Sequence, residues 1–276
     1  DSEKKVLNRE IIIEINQLLN PINLLNKKNI EEKIKNLIDN SQSDYIIFAE
    51  NNFPYLIDKD NLSNLSPFIK DNKKVIIGAT TFRDGDYYNS FFLIEKNKTH
   101  IFDKKILVPF GEFLPFRKYL NFMEIISGNI DFQKGTIERI ITTADNLKIL
   151  PVICYEIVFD KIFKNINKKE IDLLVNITND SWFGTMSGPY QHFYISRIKA
   201  LVANKPLVRV SNNGISAIID NNGKIIKSSK LNKISQIKYI LKINNNKSYF
   251  PMHNIYILYL FLILIFLVIY NKRKGI

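Results

Sequence analysis

Nine short runs dense in isoleucine, valine, phenylalanine and tyrosine constrain this chain's fold more than any other feature. They are EIIIEI (10–15), DYIIFAE (44–50), KVIIGAT (74–80), YNSFFLIEK (88–96), THIFDKK (99–105), KILPVIC (148–154), DLLVNIT (172–178), PLVRVS (206–211) and GISAIID (214–220). β-Branched and aromatic residues favour extended backbone. Many of the runs are apolar throughout rather than alternating, so both faces of such a strand must be covered, as inside a layered α/β protein. Helical stretches between them supply the cover. NIEEKIKNLIDNS (29–41) has apolar residues three and four apart, and PYQHFYISRIKALVAN (189–204) opens with a proline suited to a first helical turn. EKNK (95–98) and DNNGK (220–224) read as turns, the second with an Asn-Gly hairpin signal. With no internal repeat and no long linker, residues 9–248 are expected to form one α/β domain behind a charged tail at 1–8.

The C-terminal stretch IYILYLFLILIFLVIY (255–270) contains no charge and no helix breaker. A helix needs roughly 20 residues to span a bilayer, and the upstream YFPMHN makes up the length. Tyr249, Tyr256, Tyr259 and Tyr270 place amphipathic rings near both ends, as membrane interfaces prefer. A transmembrane helix is therefore expected over 249–271. The basic residues around the tail at 272–276 favour a cytoplasmic C-terminus, with the body on the exported side.

The formal net charge of +12 comes from lysine scattered among asparagine and isoleucine, not gathered in a patch. Nucleic acid is not an expected partner; anionic lipid head groups beside a membrane segment are a more natural one. One cysteine excludes an internal disulfide, and with only His100, His192 and His253 no zinc or histidine-rich metal site is expected. No cofactor is expected either, so the chemistry falls to carboxylates, lysines, hydroxyls and one thiol. The chain opens at Asp1 with the charged DSEKKVLNRE, in which no signal peptide is visible, and a segment of a longer protein is one expectation.

Three polar residues stand where strands are expected to stop. Cys154 closes KILPVIC ahead of YEIVFDKIF, which can begin a helix. A nucleophile there sits at a sheet edge with main-chain N–H groups free to hold an oxyanion, although a lone cysteine is also a common small core residue. Glu50 closes DYIIFAE before the irregular NNFPY. It reads either as a solvated strand cap or, if desolvated beside a thiol, as a general base with a raised pKa. Lys104 lies in HIFDKKILVPFGEFLP, which is apolar on both sides of Glu112. An ammonium held there can polarise a carbonyl and lower a thiol pKa.

Glu50, Lys104 and Cys154, in this order and each after a strand, resemble the Glu-Lys-Cys triad of the nitrilase superfamily. FDKKILVPFGEFLP, VICYEIVF, ITNDSWFGTMSGPYQH and RIKALVANKPLVRVSNNGISAIID look like the apolipoprotein N-acyltransferases, the membrane branch that completes bacterial lipoprotein maturation. The similarity runs from about Glu10 through the final apolar segment. It implies a nitrilase-type α-β-β-α sandwich followed by a C-terminal transmembrane helix. It further implies transfer of a fatty acyl chain from a phospholipid, through a cysteine thioester, to the N-terminal amine of a diacylglyceryl-modified apolipoprotein. The place would be the bacterial inner membrane, with the catalytic domain periplasmic.

Carried over by position, Glu50 is the general base, Lys104 the oxyanion-stabilising cation and Cys154 the nucleophile. Glu112 supports the lysine, Tyr155 and Glu156 adjoin the nucleophile, and Trp182 lies on a mobile loop over the site. Phe113 and Phe116 in FLPFRKYLNFMEIIS (113–127), with Phe183 and Met186 in SWFGTM, are expected to form an apolar lid against lipid. His192 in GPYQH matches a family histidine and is expected to fix a helix start or substrate loop. The family carries several transmembrane helices before its catalytic domain, and none is present here. The alternative reading is a membrane-anchored carbon–nitrogen hydrolase of amidase or nitrilase type, with the same triad and water as acceptor.

Overall fold

Two six-stranded sheets form the body of the protein in a computed structural model that describes residues 9–21, 26–58, 62–120, 130–137, 139–243 and 259–265. In chain order the strands are β1 (Arg9–Gln17), β2 (Tyr45–Phe48), β3 (Lys74–Arg83), β4 (Asp86–Ile94), β5 (Thr99–Asp103), β6 (Ile141–Thr142), β7 (Lys148–Ile153), β8 (Leu173–Thr178), β9 (Leu207–Ser211), β10 (Ala217–Ile219), β11 (Ile225–Ser228) and β12 (Ser235–Ile243). One sheet runs β12-β1-β2-β3-β4-β5, the other β11-β10-β9-β8-β7-β6. The centres of both are parallel, with β1, β2 and β3 in one and β7, β8 and β9 in the other, and the outer pairs are antiparallel.

The continuous apolar runs are explained by what lies on each side of them. Alternate residues of a strand point to opposite faces. Ile13, Ile47, Ile76 and Phe91 of the first sheet therefore meet Ile149, Ile153, Val175 and Val208 of the second in a core between the sheets. Their neighbours Ile46, Phe48, Val75, Ile77 and Phe92 face outward under α1 (Lys27–Asn40), which covers them with Ile30, Ile34 and Ile38, one per turn. On the other side Leu150, Val152, Leu174 and Leu207 lie under Phe193, Ala200 and Ala203 of a 17-residue helix, Ser187–Ala203. With a four-residue helical turn α2 at Arg117–Leu120, this longer helix is α3. The layers are α-β-β-α, and each wholly buried Ile, Leu or Phe contributes about 1.5–3 kcal/mol by leaving water.

Three strands were absent from the nine runs. β6 has only two residues, and β11 and β12 are edge strands whose exposed positions, Ile240 excepted, are polar. Gln236, Lys238 and Lys242 of β12 are exposed, so its apolar content is diluted by the lysines that discourage edge-to-edge pairing. YEIVFDKIF forms no α-helix; it makes two 3-10 turns, Cys154–Val158 and Asp160–Phe163, separated by extended backbone at Phe159.

Residues 246–276 form a unit apart from 1–245. Within it, 259–265 is helical, and every side chain from Tyr259 to Ile265 is exposed. Among the described residues no helix is long and apolar enough to cross a membrane. Most of the transmembrane span expected at 249–271 lies outside the described residues, as do the tails 1–8 and 272–276 and the 121–127 portion of the apolar lid.

Candidate active site

Strand ends of the two sheets bring the three singled-out residues to one place. Glu50 follows β2 by two residues, beside a point where β3 presents a glycine. A Cβ at Gly78 would stand 2.6 Å from both Glu50 Cα and Asn51 N. Lys104 directly follows β5, its N–H donating to the Asn89 carbonyl at 2.9 Å and its own carbonyl accepting from Gly135 N–H at 2.9 Å. Cys154 directly follows β7 and is nearly buried, with φ of +52°. A non-glycine residue in the left-handed region costs about 1–3 kcal/mol and persists only where its surroundings fix it.

The side chains form one hydrogen-bonded array. Lys104 Nζ donates to Glu112 Oε1 at 2.8 Å. Asn89 Nδ2 donates to both carboxylates, to Glu50 Oε1 at 2.7 Å and to Glu112 Oε1 at 3.0 Å. Asn179 N–H, from the turn after β8, donates to Glu50 Oε2 at 2.7 Å, so the carboxylate is held from both sheets. Val108 N–H holds Glu112 Oε2 at 3.0 Å.

Burial raises the Glu50 pKa above the usual carboxylate range, against the opposing pull of Lys104. Burial also acts on Lys104, lowering it, but the facing Cys154, Glu50 and Glu112 outweigh that and raise it, so the ammonium is firmly charged. The Cys154 thiol is pushed up to about 12, by burial first and then by the Glu50 carboxylate, with Lys104 pulling the other way. Such a site holds a resting thiol, a carboxyl group of raised proton affinity and a fixed cation. It can pass a proton from sulfur to carboxylate once new negative charge develops at Lys104.

The supporting residues divide by surroundings. Glu156 is wholly buried and bound by Arg139 Nη2 at 2.8 Å and Nη1 at 3.1 Å. It also accepts from the N–H groups of Lys105 (2.8 Å), Ile106 (3.0 Å) and Ile153 (3.0 Å), tying the loop after Lys104 to the turn that carries Cys154. Tyr155 packs among Phe159, Phe183 and His192, with ring centroids 5.6–5.9 Å apart. Phe113 and Phe183 are half-buried. Phe116, Tyr119, Trp182 and Met186 are 71–83% exposed, unusual for large apolar side chains. His192 is buried, not on an open loop, with Nε2 3.3 Å from the Cys154 carbonyl oxygen.

Four further residues belong to this neighbourhood and were not singled out from sequence. Asn89 bridges the two glutamates, and its own buried Oδ1 has no hydrogen-bond partner among the described residues. Arg139 neutralises Glu156. Asp180 and Arg209, both wholly buried, form an ion pair at 2.8 Å behind Cys154. The signals available were a polar residue between Tyr88 and Ser90 in a strand and an arginine in the middle of PLVRVS.

A family model described as carbon-nitrogen hydrolase matches residues 26–237. Curated relatives bearing the name apolipoprotein N-acyltransferase include that of Rickettsia typhi, 40% identical over 191 residues, covering 67% of this chain and 36% of the relative. That of Rickettsia bellii is 39% identical over 257 residues, covering 87% and 50%. That of Rhizobium rhizogenes is 33% identical over 204 residues, covering 69% and 38%. The chain thus spans half or less of the length of these relatives. Among solved structures, Saccharomyces cerevisiae Nit3, a member of branch 10 of the nitrilase superfamily, superposes with a TM-score of 0.61 at 17% identity, covering 88% of this chain and 93% of Nit3. The glutamine-dependent NAD+ synthetase of Acinetobacter baumannii gives 0.65 at 18%, covering 83% and 45%. At these identities the likeness concerns the fold.

Proposed function

Because the chain belongs to the carbon–nitrogen hydrolase family, we propose that it carries the catalytic domain of an apolipoprotein N-acyltransferase. The observation that carries this reading is the array Glu50–Asn89–Glu112–Lys104 gathered beside the chain's only thiol. The name shared by these relatives supports an apolipoprotein amine as the acyl acceptor.

Glu50 takes the proton of Cys154 as the sulfur attacks the ester carbonyl of a phospholipid acyl chain. The C–S bond forms, and the carbonyl oxygen, now negative, is held by Lys104 and a main-chain N–H of the Cys154–Val158 turn. When the tetrahedral centre collapses, the C–O bond breaks, and Glu50 returns the proton to the departing lysophospholipid alkoxide. The thioester remains. The N-terminal amine of a diacylglyceryl-modified apolipoprotein then attacks it and gives a proton to Glu50. The C–N bond forms, the C–S bond breaks, and that proton restores the thiol. No cofactor enters the scheme. A thiol pushed up to about 12 stays protonated until an ester carbonyl reaches Lys104, which limits idle reaction of the sulfur.

The exposed Phe116, Tyr119, Trp182 and Met186 are the surface that meets lipid in this reading. In the same reading, half-buried Phe113 and Phe183 line the lipid's way in. The location proposed is the bacterial inner membrane, with 9–248 periplasmic, 249–271 crossing the bilayer and 272–276 cytoplasmic.

The test is intact mass of the detergent-solubilised chain after incubation with phospholipid. Wild type is expected to gain one fatty-acyl increment that hydroxylamine removes, and Cys154→Ala to gain none. Adding a diacylglyceryl-modified peptide should discharge the increment onto the peptide amine. Release as free fatty acid, with the peptide unmodified, would instead mark the chain as a hydrolase.

A further inference from the structure

We propose that Arg209 is the positioning residue for the nucleophile: through Asn176, Asp180 and His192 it holds the backbone of Cys154 in the left-handed turn that places the sulfur. The inference rests on the acyl-thioester reading of Cys154. Arg209 is in β9 and wholly buried. Its Nη1 donates to Asn176 Oδ1 at 2.6 Å and Ser196 Oγ at 3.1 Å, its Nε to the Ile215 carbonyl at 3.3 Å. Its Nη2 donates to Asp180 Oδ2 at 2.8 Å and Oδ1 at 3.1 Å, and lies 3.1 Å from His192 Nδ1.

Two of these partners reach on to a single atom. Asn176 Nδ2 and His192 Nε2 each lie 3.3 Å from the carbonyl oxygen of Cys154. Asn176 Nδ2 also holds the Val152 carbonyl at 3.1 Å, two residues back in β7. In the tautomer protonated on Nε2, His192 donates to the Cys154 carbonyl and its Nδ1 accepts from Arg209 Nη2, which also holds the neighbouring Asp180 Oδ1. A carbonyl gripped from two sides cannot swing, so the peptide plane beyond Cys154 is fixed and the strained φ is retained.

The same hub reaches the base. Asp180 sits one residue after Asn179, whose N–H holds Glu50 Oε2, and it is further fixed by Thr178 Oγ1 and Ser211 Oγ, both at 3.1 Å. Nothing larger than glycine fits beside it, since a Cβ at Gly214 would stand 1.8 Å from Asp180 Oδ2. A buried guanidinium is costly unless paired and fully hydrogen-bonded. Here its bonds converge behind the sulfur, on groups that set where thiol and base meet.

Cys154 is the chain's only thiol and reports on itself. The full chain in detergent is compared as wild type, His192→Leu, His192→Gln and the charge-balanced pair Asp180→Asn with Arg209→Gln. Thermal unfolding first establishes that each is folded. Thioester formation from phospholipid is expected to slow about tenfold in His192→Leu and about a hundredfold in the pair, with KM within about twofold of wild type. His192→Gln, which keeps an N–H donor, should recover most of the loss. In parallel, alkylation of Cys154 by iodoacetamide is followed against pH, and its midpoint should move toward the value of about 8.5 for a free thiol in His192→Leu and the pair. Wild-type thioester rates and wild-type alkylation profiles in those folded variants would overturn the proposal. If wild type itself forms no thioester, the acyl-transfer reading fails, while the alkylation profiles still decide the positioning role. If the pair does not fold, His192→Leu against His192→Gln decides it.

Discussion

Glu50 is held at a cost to the fold, and the sign of that cost can be measured. Its pKa is raised, burial being the largest cause, so the folded protein binds a proton there more tightly than the unfolded chain does. Ionisation therefore takes stability away as pH rises from the ordinary carboxylate range through the raised value. Glu50→Gln is expected to slow thioester formation by about 10²–10⁴ and yet to unfold at a higher temperature than wild type near pH 7. Intact-mass kinetics and a thermal melt read the two effects. Asn89 works in the opposite direction, because its N–H to Glu50 Oε1 favours the charged carboxylate. Asn89→Ala should move the acid limb of the pH–rate profile for thioester formation to higher pH; an unmoved limb would mean that another group governs it.

At the scale of elements, the site depends on how closely β2 and β3 approach beyond their last shared hydrogen bonds. Gly78 leaves room for the turn that carries Glu50, and a methyl group there meets main-chain atoms at 2.6 Å, which cannot rotate away. Gly78→Ala is expected to destabilise the protein by about 1–3 kcal/mol, as overpacked cores do, and to depress acylation well beyond that loss, read by denaturant unfolding beside kinetics on the folded fraction. The central strands were legible in the sequence because each is apolar on both faces, and α1 and α3 because their apolar spacing differs from it. Edge strands β11 and β12 were not, since lysine on their open side dilutes the signal. Glu50, Lys104 and Cys154 were legible as strand-end residues of the right types. Asn89 and Arg209 were not, because a polar residue inside a strand acquires meaning only when the register shows what it faces.

For the molecule as a whole, buried Asp180 and half-buried Asp145 shape the response to acid. Burial alone would raise Asp180, but the Arg209 guanidinium outweighs it and holds the pKa far below the usual range. Asp145, where Arg9, Tyr45 and Lys74 of the first sheet meet the turn before β7, is likewise held far below, as hydrogen bonds from Thr143, Lys74 and Tyr45 outweigh burial. A depressed carboxylate stabilises the fold above its unfolded pKa of about 3.9, and that stability drains as pH falls toward the folded value. The unfolding temperature should therefore drop steeply below about pH 4. Asp145→Asn should start lower at pH 7 and fall less, as melts at stepped pH would show.

Glu50 receives one hydrogen bond from Asn89 of its own sheet and another from Asn179 of the opposing one, while its thiol partner rides on that opposing sheet. In the proposed reaction the pair thus straddles the seam of the sandwich like the two scales of a vernier, and any slip of one sheet across the other is read directly as a change in the gap between the Cys154 sulfur and the Glu50 carboxylate. On that proposal, packing between the sheets becomes part of the rate constant. Ile47→Val, in mid-seam, should cost only about 0.5–1.5 kcal/mol of stability, yet lower the acylation rate of fully folded enzyme. Ile46→Val, one residue away under α1, should cost similar stability and leave that rate alone.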